Sequence, residues 1–143
     1  MSALKRISSI LLTCLIAGQA MAQAYPSKPI KVVVGYAAGG AVDVVARTIG
    51  QSLSVSMGQP VIVENKVGAA GNIAADAVAK ATDDHTIGLM INGNMTIAKL
   101  LNPKLSYDPL KDLTPVSLLG VSPLVLTAPA NAPGNNAVEF LAA

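Results

Sequence analysis

The sequence predicts an α/β domain with a mainly parallel sheet flanked by helices. Three observations favour this class: short apolar runs alternate with segments of helical periodicity, glycine loops join the runs to the helices, and the first runs are continuously apolar. The chain has 143 residues, of which 52% are hydrophobic and 13% are charged. That composition suits one globular domain rather than a disordered chain.

The stretch 30–57 organises this domain. It begins as a buried strand, turns through Gly39-Gly40 and continues as an amphipathic helix over 41–57. Asp43 lies in the first turn, where the helix dipole favours a negative side chain. The predicted apolar face of the helix consists of Val42, Val45, Ala46, Ile49 and Leu53.

A second unit repeats this order. The apolar run 61–63 predicts a strand buried on both faces. The glycine loop 68–71 then leads to a helix that ends near Ala81, with Asn72 as its N-cap. The predicted apolar face of this helix consists of Ile73, Ala77, Val78 and Ala81.

A third strand is predicted over 86–92, followed by a loop that begins at Asn92 and a short helix through Leu101. Tyr107-Asp108-Pro109 predicts a turn. The remaining predicted elements are short strands over 113–119 and 124–127 and a helix that begins near Asn136.

The strand-to-helix loops are predicted to converge. Right-handed crossovers place such loops on one edge of a parallel sheet. The loops 35–42, 66–72 and 92–96 therefore face one crevice, which is where open α/β sheets bind ligands. A glycine loop at a helix N-terminus offers unpaired N–H groups, which suit an anion.

The first 22 residues have the pattern of a signal peptide. Lys5-Arg6 precedes an apolar run of about 11 residues, too short to span a bilayer, and Ala20-Met21-Ala22 has the small-x-small pattern of a cleavage site. Cleavage is expected after Ala22 or after Ala24. The mature protein is therefore expected to be exported.

Removing this segment changes the charge of the chain. Two of the ten basic residues and none of the eight acidic residues leave with it, so the net charge falls to zero. Cys14, the only cysteine, leaves as well, which excludes a disulfide or a cysteine metal site. With no basic patch and only 3% aromatic residues, no nucleic-acid partner is expected.

The glycine loops leave more than one interpretation open. A nucleotide site is disfavoured, because Gly35 and Gly39 are four residues apart and no Gly-Lys-Ser/Thr ending follows. In one interpretation the glycines only permit tight turns and close helix packing. In the other they direct backbone N–H groups towards a small carboxylate. In the second case Asn92, Asn94 and Thr96 add neutral hydrogen bonds.

No catalytic constellation is recognisable. The serines of the first helix lie on its exposed side or at its end. His85, the sole histidine, follows Asp83 and Asp84 at the edge opposite the glycine loops, and is interpreted as a turn or surface residue. We therefore expect no enzyme activity, no cofactor and no metal site.

Several motifs follow one another in order after Ala24. They are Tyr25-Pro-Ser-Lys-Pro-Ile30, Gly39-Gly-x-x-Asp43, Gly58-Gln-Pro-Val-x-Val-Glu-Asn65, Gly68-Ala-Ala-Gly-Asn-Ile73, Val78-Ala-Lys80 and Tyr107-Asp-Pro-Leu-Lys-Asp-Leu-Thr-Pro-Val116. This series resembles the Bug-type receptors, the periplasmic substrate-binding proteins of tripartite tricarboxylate transporters. The resemblance covers essentially everything after Ala24.

The resemblance implies a type II periplasmic binding-protein fold, in which two α/β lobes close on a carboxylate. Residues 25–127 would form the first lobe, and 128–143 would begin the hinge and the second lobe. Members of this family are longer, so we expect the second lobe to be missing from this sequence.

The resemblance also implies a binding site. Family members present the acid to backbone amides of the first glycine loop, which corresponds here to Ala38, Gly39, Gly40 and Asp43. The second wall is the loop with Asn92, Asn94 and Thr96, whereas Gly71 and Asn72 match the second glycine motif. The sequence departs from the family by having apolar residues around the double glycine, namely Ala37, Ala38, Ala41 and Val42.

The predicted function is therefore that of a periplasmic receptor that captures a small carboxylate for the membrane components of such a transporter. A monomer is expected. The alternatives are a ligand-sensing module outside transport and an inactive truncated remnant of a receptor, with an enzyme as the third class.

Overall fold

The computed structural model describes residues 25–133 and 136–142, so the predicted signal peptide lies outside the described residues. In chain order the elements are β1 (Ile30–Val34), α1 (Ala41–Met57), β2 (Val61–Asn65), a 3₁₀ turn (Ala69–Gly71), α2 (Asn72–Ala79), β3 (Thr86–Leu89), a π-helical turn (Gly93–Ile97), α3 (Ala98–Leu101) and α4 (Ala137–Ala142). The first helix has the predicted bounds.

The three strands form one parallel sheet in the order β2-β1-β3. Val32 in the central strand pairs with Val63 in β2 and with Ile87 in β3. Parallel neighbours need crossover connections, which α1 and α2 supply. The prediction of an α/β class with a mainly parallel sheet is confirmed.

Helices cover both faces of β1, which explains its continuous apolar sequence. On one face Val32 and Val34 form a buried cluster with Ala46 of α1. Successive side chains of a strand point to opposite faces, so Val33, which is 1% exposed, lies on the other face, towards α2.

Close packing of α2 depends on Gly35. A methyl group at this position would lie 2.5 Å from the Cα of Gly71 and 3.2 Å from the Cβ of Ala74. Both distances are below ordinary carbon–carbon contact. The glycine at the end of β1 therefore has a packing role, as one of the two interpretations of the loops predicted.

The apolar faces of the helices differ in part from the prediction. In α1 the buried residues are Asp43, Ala46 and Gly50, whereas Val45 is 41% exposed. In α2 the buried residues are Ala74 and Ala75, and Ile73 is half exposed. Because the backbones approach so closely, small side chains fill these positions.

Two further predictions about this region are wrong. Gly71, not Asn72, is the N-cap of α2, and the side chain of Asn72 bonds to other loops instead. The strand at 61–63 is not buried on both faces, since Ile62 is 55% exposed. The reason is that α2 packs mainly against β1 and β3, which leaves one face of this edge strand open.

The strands predicted at 113–119 and 124–127 are absent, and the third strand ends at Leu89 rather than at Asn92. Pro115 removes a backbone donor from the first segment, and Pro123 immediately precedes the second. An apolar run becomes a strand only when it has a partner, and no strand pairs with these runs anywhere in the described chain.

His85 is buried rather than at the surface, at 3% exposure. Its Nε2 accepts a hydrogen bond from the Ser27 N–H at 3.0 Å, and its Nδ1 contacts the Asp84 carboxylate. Its ring centroid lies 4.8 Å from that of Tyr25. The histidine thus fastens the entry segment at the edge of the sheet opposite the glycine loops.

The helix predicted near Asn136 is present as α4. The Asn136 Oδ1 accepts a hydrogen bond from the Glu139 N–H at 3.0 Å, which is an N-capping contact. Across 25–133 and 136–142, no helix combines the length and the apolar character that crossing a bilayer requires.

Candidate functional site

The three loops at the carboxyl edge of the sheet meet, as the topology predicted. The Tyr36 hydroxyl, which follows β1, lies 3.2 Å from the carbonyl oxygen of Ala70 and 3.3 Å from the Asn94 Oδ1. Asn94 Nδ2 donates to the Ala70 carbonyl at 2.9 Å. Side chains therefore join the ends of all three strands at one point.

Asp43 shapes the first loop from inside. Its carboxylate is 2% exposed and accepts hydrogen bonds from the Gly39 N–H at 2.8 Å and from the Asn65 Nδ2 at 2.8 Å. Arg47 adds two more, from Nε at 2.9 Å and from Nη2 at 3.0 Å. These four bonds match the acceptor capacity of a carboxylate.

The same contacts keep Asp43 ionised. Hydrogen bonds from Arg47, then from the Gly39 N–H and from Asn65, hold the pKa of the Asp43 carboxyl well below its usual range. Its negative charge is balanced by Arg47, whose own side chain is 52% exposed.

The amides of the first loop divide into two groups. Gly39 N–H donates to Asp43, and Gly40 N–H donates to the Ala37 carbonyl at 3.2 Å. Within the described residues, no group accepts a hydrogen bond from the N–H of Ala38, Ala41 or Val42. Ala38 and Ala41 are exposed and Val42 is partly exposed, and α1 begins at Ala41, so these donors lie at the positive end of a 17-residue helix.

The second loop has an uncommon backbone. Ala69 and Ala70 have φ values of 46° and 53°, in the left-handed region, and Gly71 follows at 89°. Left-handed alanines are costly, by roughly 1–2 kcal/mol each. This conformation turns the Ala70 carbonyl towards Tyr36 and Asn94. A residue larger than glycine is disfavoured at position 71, because its Cβ would lie 3.0 Å from the Tyr36 hydroxyl.

The third segment is helical rather than a loop. A π-turn over Gly93–Ile97 continues into α3, and such turns are frequent at functional sites. Asn94 is 2% exposed, and its Nδ2 also donates to the Asn72 Oδ1 at 2.8 Å. Asn92 and Thr96 are exposed and bond to each other at 2.8 Å.

The predicted site residues therefore occupy three different settings. Backbone groups at 38–40, together with Asn92 and Thr96, lie at the surface of the edge. Asp43 and Asn94 lie beneath it with their polar atoms bonded within the protein. Gly71 and Asn72 join the second loop to its neighbours.

Four residues at the site escaped the prediction, namely Tyr36, Arg47, Asn65 and Tyr107. Asn65 and Tyr107 lie in the quoted motifs, which was the available signal. The position of Arg47 four residues after Asp43 also pointed to an ion pair. Nothing in the sequence indicated that Tyr36 would bridge the loops.

The chemistry available at this edge is hydrogen bonding to an anion. The surface donors are backbone N–H groups, neutral side chains and the half-exposed Arg47 guanidinium. The described residues contain no cluster of three or more histidine, cysteine, aspartate or glutamate side chains suited to a metal. A shallow groove of about 390 Å³ lies between α1 and β2, and Arg47, Gly50, Val55 and Val61 are among the residues that line it.

Residues 45–143 match the family described as Tripartite tricarboxylate transporter family receptor. Among curated relatives, the protein BugT of Bordetella pertussis is 41% identical over 122 residues, which make up 84% of this chain and 37% of the relative. The chain thus spans about 37% of the length of the relatives first matched.

Solved structures agree with this match. MatC from Rhodopseudomonas palustris with bound malate is 45% identical, with a TM-score of 0.63 over 66% of this chain and 33% of the other. A second R. palustris protein, solved with adipate, is 34% identical, with a TM-score of 0.57 over 60% of this chain and 29% of the other. The parallel sheet with helices on both faces is therefore that of periplasmic binding-protein neighbours.

Proposed function

Because the chain belongs to the tripartite tricarboxylate transporter receptor family, we propose that it binds a small carboxylate in the periplasm and delivers it to the membrane components of a transporter. Binding and release need no covalent chemistry, and we infer that the protein is a receptor rather than an enzyme. We also propose that it acts as a monomer.

The observation that carries this proposal is the set of unpaired amides at the N-terminus of α1. Ala38, Ala41 and Val42 have no internal acceptor among the described residues, and Asp43 fixes the loop that contains them. An N–H bond to a charged acceptor contributes about 1.5–3 kcal/mol. The helix dipole adds roughly 0.3–1 kcal/mol. Three such bonds approach the ~8 kcal/mol of micromolar affinity before binding costs.

Dicarboxylates are the first ligands to test. Malate and adipate are bound in the two R. palustris neighbours, and both carry a carboxylate that suits the amides of the first loop. The exposed side chains of Asn92 and Thr96 supply polar groups for the rest of the ligand. The alanines at 37, 38 and 41 have no hydroxyl group to offer the ligand, so the acid is bound by backbone N–H groups at this loop.

A charge placed at Gly40 tests the site. Gly40 is the N-cap of α1, with extended backbone at φ −73° and ψ 166°, and both aspartate and asparagine are good N-caps. Gly40→Asp puts a negative charge beside the proposed carboxylate, whereas Gly40→Asn has the same shape without charge. Titration calorimetry with malate and adipate should show at least about tenfold weaker binding for Gly40→Asp than for Gly40→Asn.

The two variants should melt at similar temperatures, because each gains a cap and each places the same Cβ 3.2 Å from the Ala37 carbonyl oxygen. Equal affinities for the aspartate and asparagine variants would move the site away from the N-terminus of α1. Turnover of either acid by the unmodified protein would contradict the receptor proposal.

A further inference from the structure

We infer that Tyr107 is a positioning residue for the proposed carboxylate site, because its hydroxyl links the second loop to the third. This inference rests on the proposed function. Tyr107 lies outside all three loops, in the segment that follows α3, and none of the proposed ligand contacts involves it.

The phenol is placed between two loops. Its oxygen lies 2.9 Å from the Asn72 Oδ1 and 3.0 Å from the Asn94 carbonyl oxygen, and the residue is 2% exposed. Asn72 begins α2 after the second glycine loop, and Asn94 lies in the π-turn. Asn94 Nδ2 donates to the same Asn72 Oδ1, which fixes that atom as the oxygen. Both neighbours of the phenol oxygen are therefore acceptors, and the single O–H proton of Tyr107 is shared between them.

The turn that presents Tyr107 is held by its own hydrogen bonds. Asp108 N–H donates to the Asp112 Oδ2 at 2.7 Å, and Leu110 N–H donates to the Asp108 Oδ1 at 3.1 Å. The Asp112 N–H closes the turn on the Asp108 carbonyl at 2.8 Å. Such Asx contacts fix a turn without help from a helix or strand.

The link extends from Tyr107 to the first loop. Asn94 donates to the Ala70 carbonyl, and the Tyr36 hydroxyl lies within 3.3 Å of both Ala70 and Asn94. Burial, with smaller effects from Asp76 and Tyr36, raises the pKa of Tyr107, so the hydroxyl keeps its proton and remains a donor. Buried, hydrogen-bonded side chains of this kind hold a site in one geometry.

The test compares Tyr107→Phe with Tyr25→Phe in the full chain. Phenylalanine keeps the ring and removes the hydroxyl in both, but Tyr25 is half exposed and lies against His85 at the opposite edge of the sheet. Calorimetry with malate and adipate, below the melting temperature of each variant, should show about fivefold to tenfold weaker binding for Tyr107→Phe, the equivalent of one hydrogen bond. Tyr25→Phe should bind as the unmodified protein does.

A second measurement separates positioning from simple stabilisation. The side-chain amide NMR signals of Asn72 and Asn94 should shift in Tyr107→Phe and stay in place in Tyr25→Phe. If Tyr107→Phe does not fold, Asp112→Asn is the alternative variant, because it loosens the turn and retains the Tyr107 hydroxyl. It should weaken the binding of malate and adipate by about twofold to threefold.

Unchanged affinity, or unmoved Asn72 and Asn94 signals, in a folded Tyr107→Phe variant would overturn the inference. If the unmodified protein binds neither malate nor adipate, the proposed function fails for those acids. The two amide signals then decide the role of Tyr107 by themselves: a shift supports loop positioning, and no shift overturns it.

Discussion

Asp43 shows how one side chain gains a second role once the fold is known. Its place in the first turn of α1 is a sufficient reason for an acid there. In the structure the same carboxylate bonds to Gly39, Arg47 and Asn65 and is buried. The acid therefore fixes the glycine loop, and any direct contact with the ligand remains a prediction.

Asp43→Asn should make stability less dependent on pH in acid. The pKa of Asp43 in the folded protein lies below the ordinary value of 3.8. Below about pH 4 the unfolded chain therefore binds a proton that the native chain does not, and stability falls as the pH falls. Thermal unfolding should find the variant less stable at pH 7, with the difference shrinking between pH 5 and pH 2.

Other carboxyls with lowered pKa values, such as Glu64 and Asp76, are present in both proteins. Their effects cancel in the comparison, so the changing difference reports on Asp43. If the stabilities of the two proteins stay in parallel from pH 7 to pH 2, the internal partners of Asp43 do not lower its pKa in the folded protein.

At the scale of elements, β1 carries the domain because it is the only strand with a neighbour on each side and a helix on each face in the described chain. Its apolar run predicted a buried strand, but not its central place in the strand order. The same reasoning failed for the runs after residue 112, which pair with no strand in the described chain.

Val33→Ala should therefore destabilise the protein far more than Val55→Ala. Val33 is 1% exposed in β1, and its truncation should cost about 2 kcal/mol in the free energy of unfolding. Val55 is 83% exposed on α1, where alanine is the better helix former, and the effect should stay within about 0.5 kcal/mol. Urea unfolding measures both, and similar losses would show that β1 is not the core strand.

At the scale of the whole molecule, a run of apolar side chains after residue 115 stands out because it is exposed. Val116, Leu118, Val121, Leu124 and Leu126 all lie in extended chain with most of their surface open to solvent. Contiguous exposed apolar surface promotes association. The segment is the part of the described chain most prone to non-specific contacts.

Leu118→Lys combined with Leu124→Lys should lower the binding of a hydrophobic dye such as ANS and raise the solubility limit. Neither leucine packs into the core, so the free energy of unfolding should change by less than about 0.5 kcal/mol. Dye fluorescence and light scattering report the outcome. A large loss of stability in the double variant would show that this segment packs in solution.

The sequence by itself determined the α/β class and the bounds of α1, because hydrophobic periodicity is a local property. It also determined the convergence of three loops, because the order of strands and helices is sufficient to apply the rule of right-handed crossovers. It did not determine which polar groups face outward. Asp43 and Asn94 belong to the predicted site, yet they lie beneath it, and Tyr107 joins loops from more than ten residues away along the chain. Only tertiary structure decided those partners, since a hydrogen bond between distant segments depends on how closely small residues such as Gly35 and Ala74 let the backbones approach.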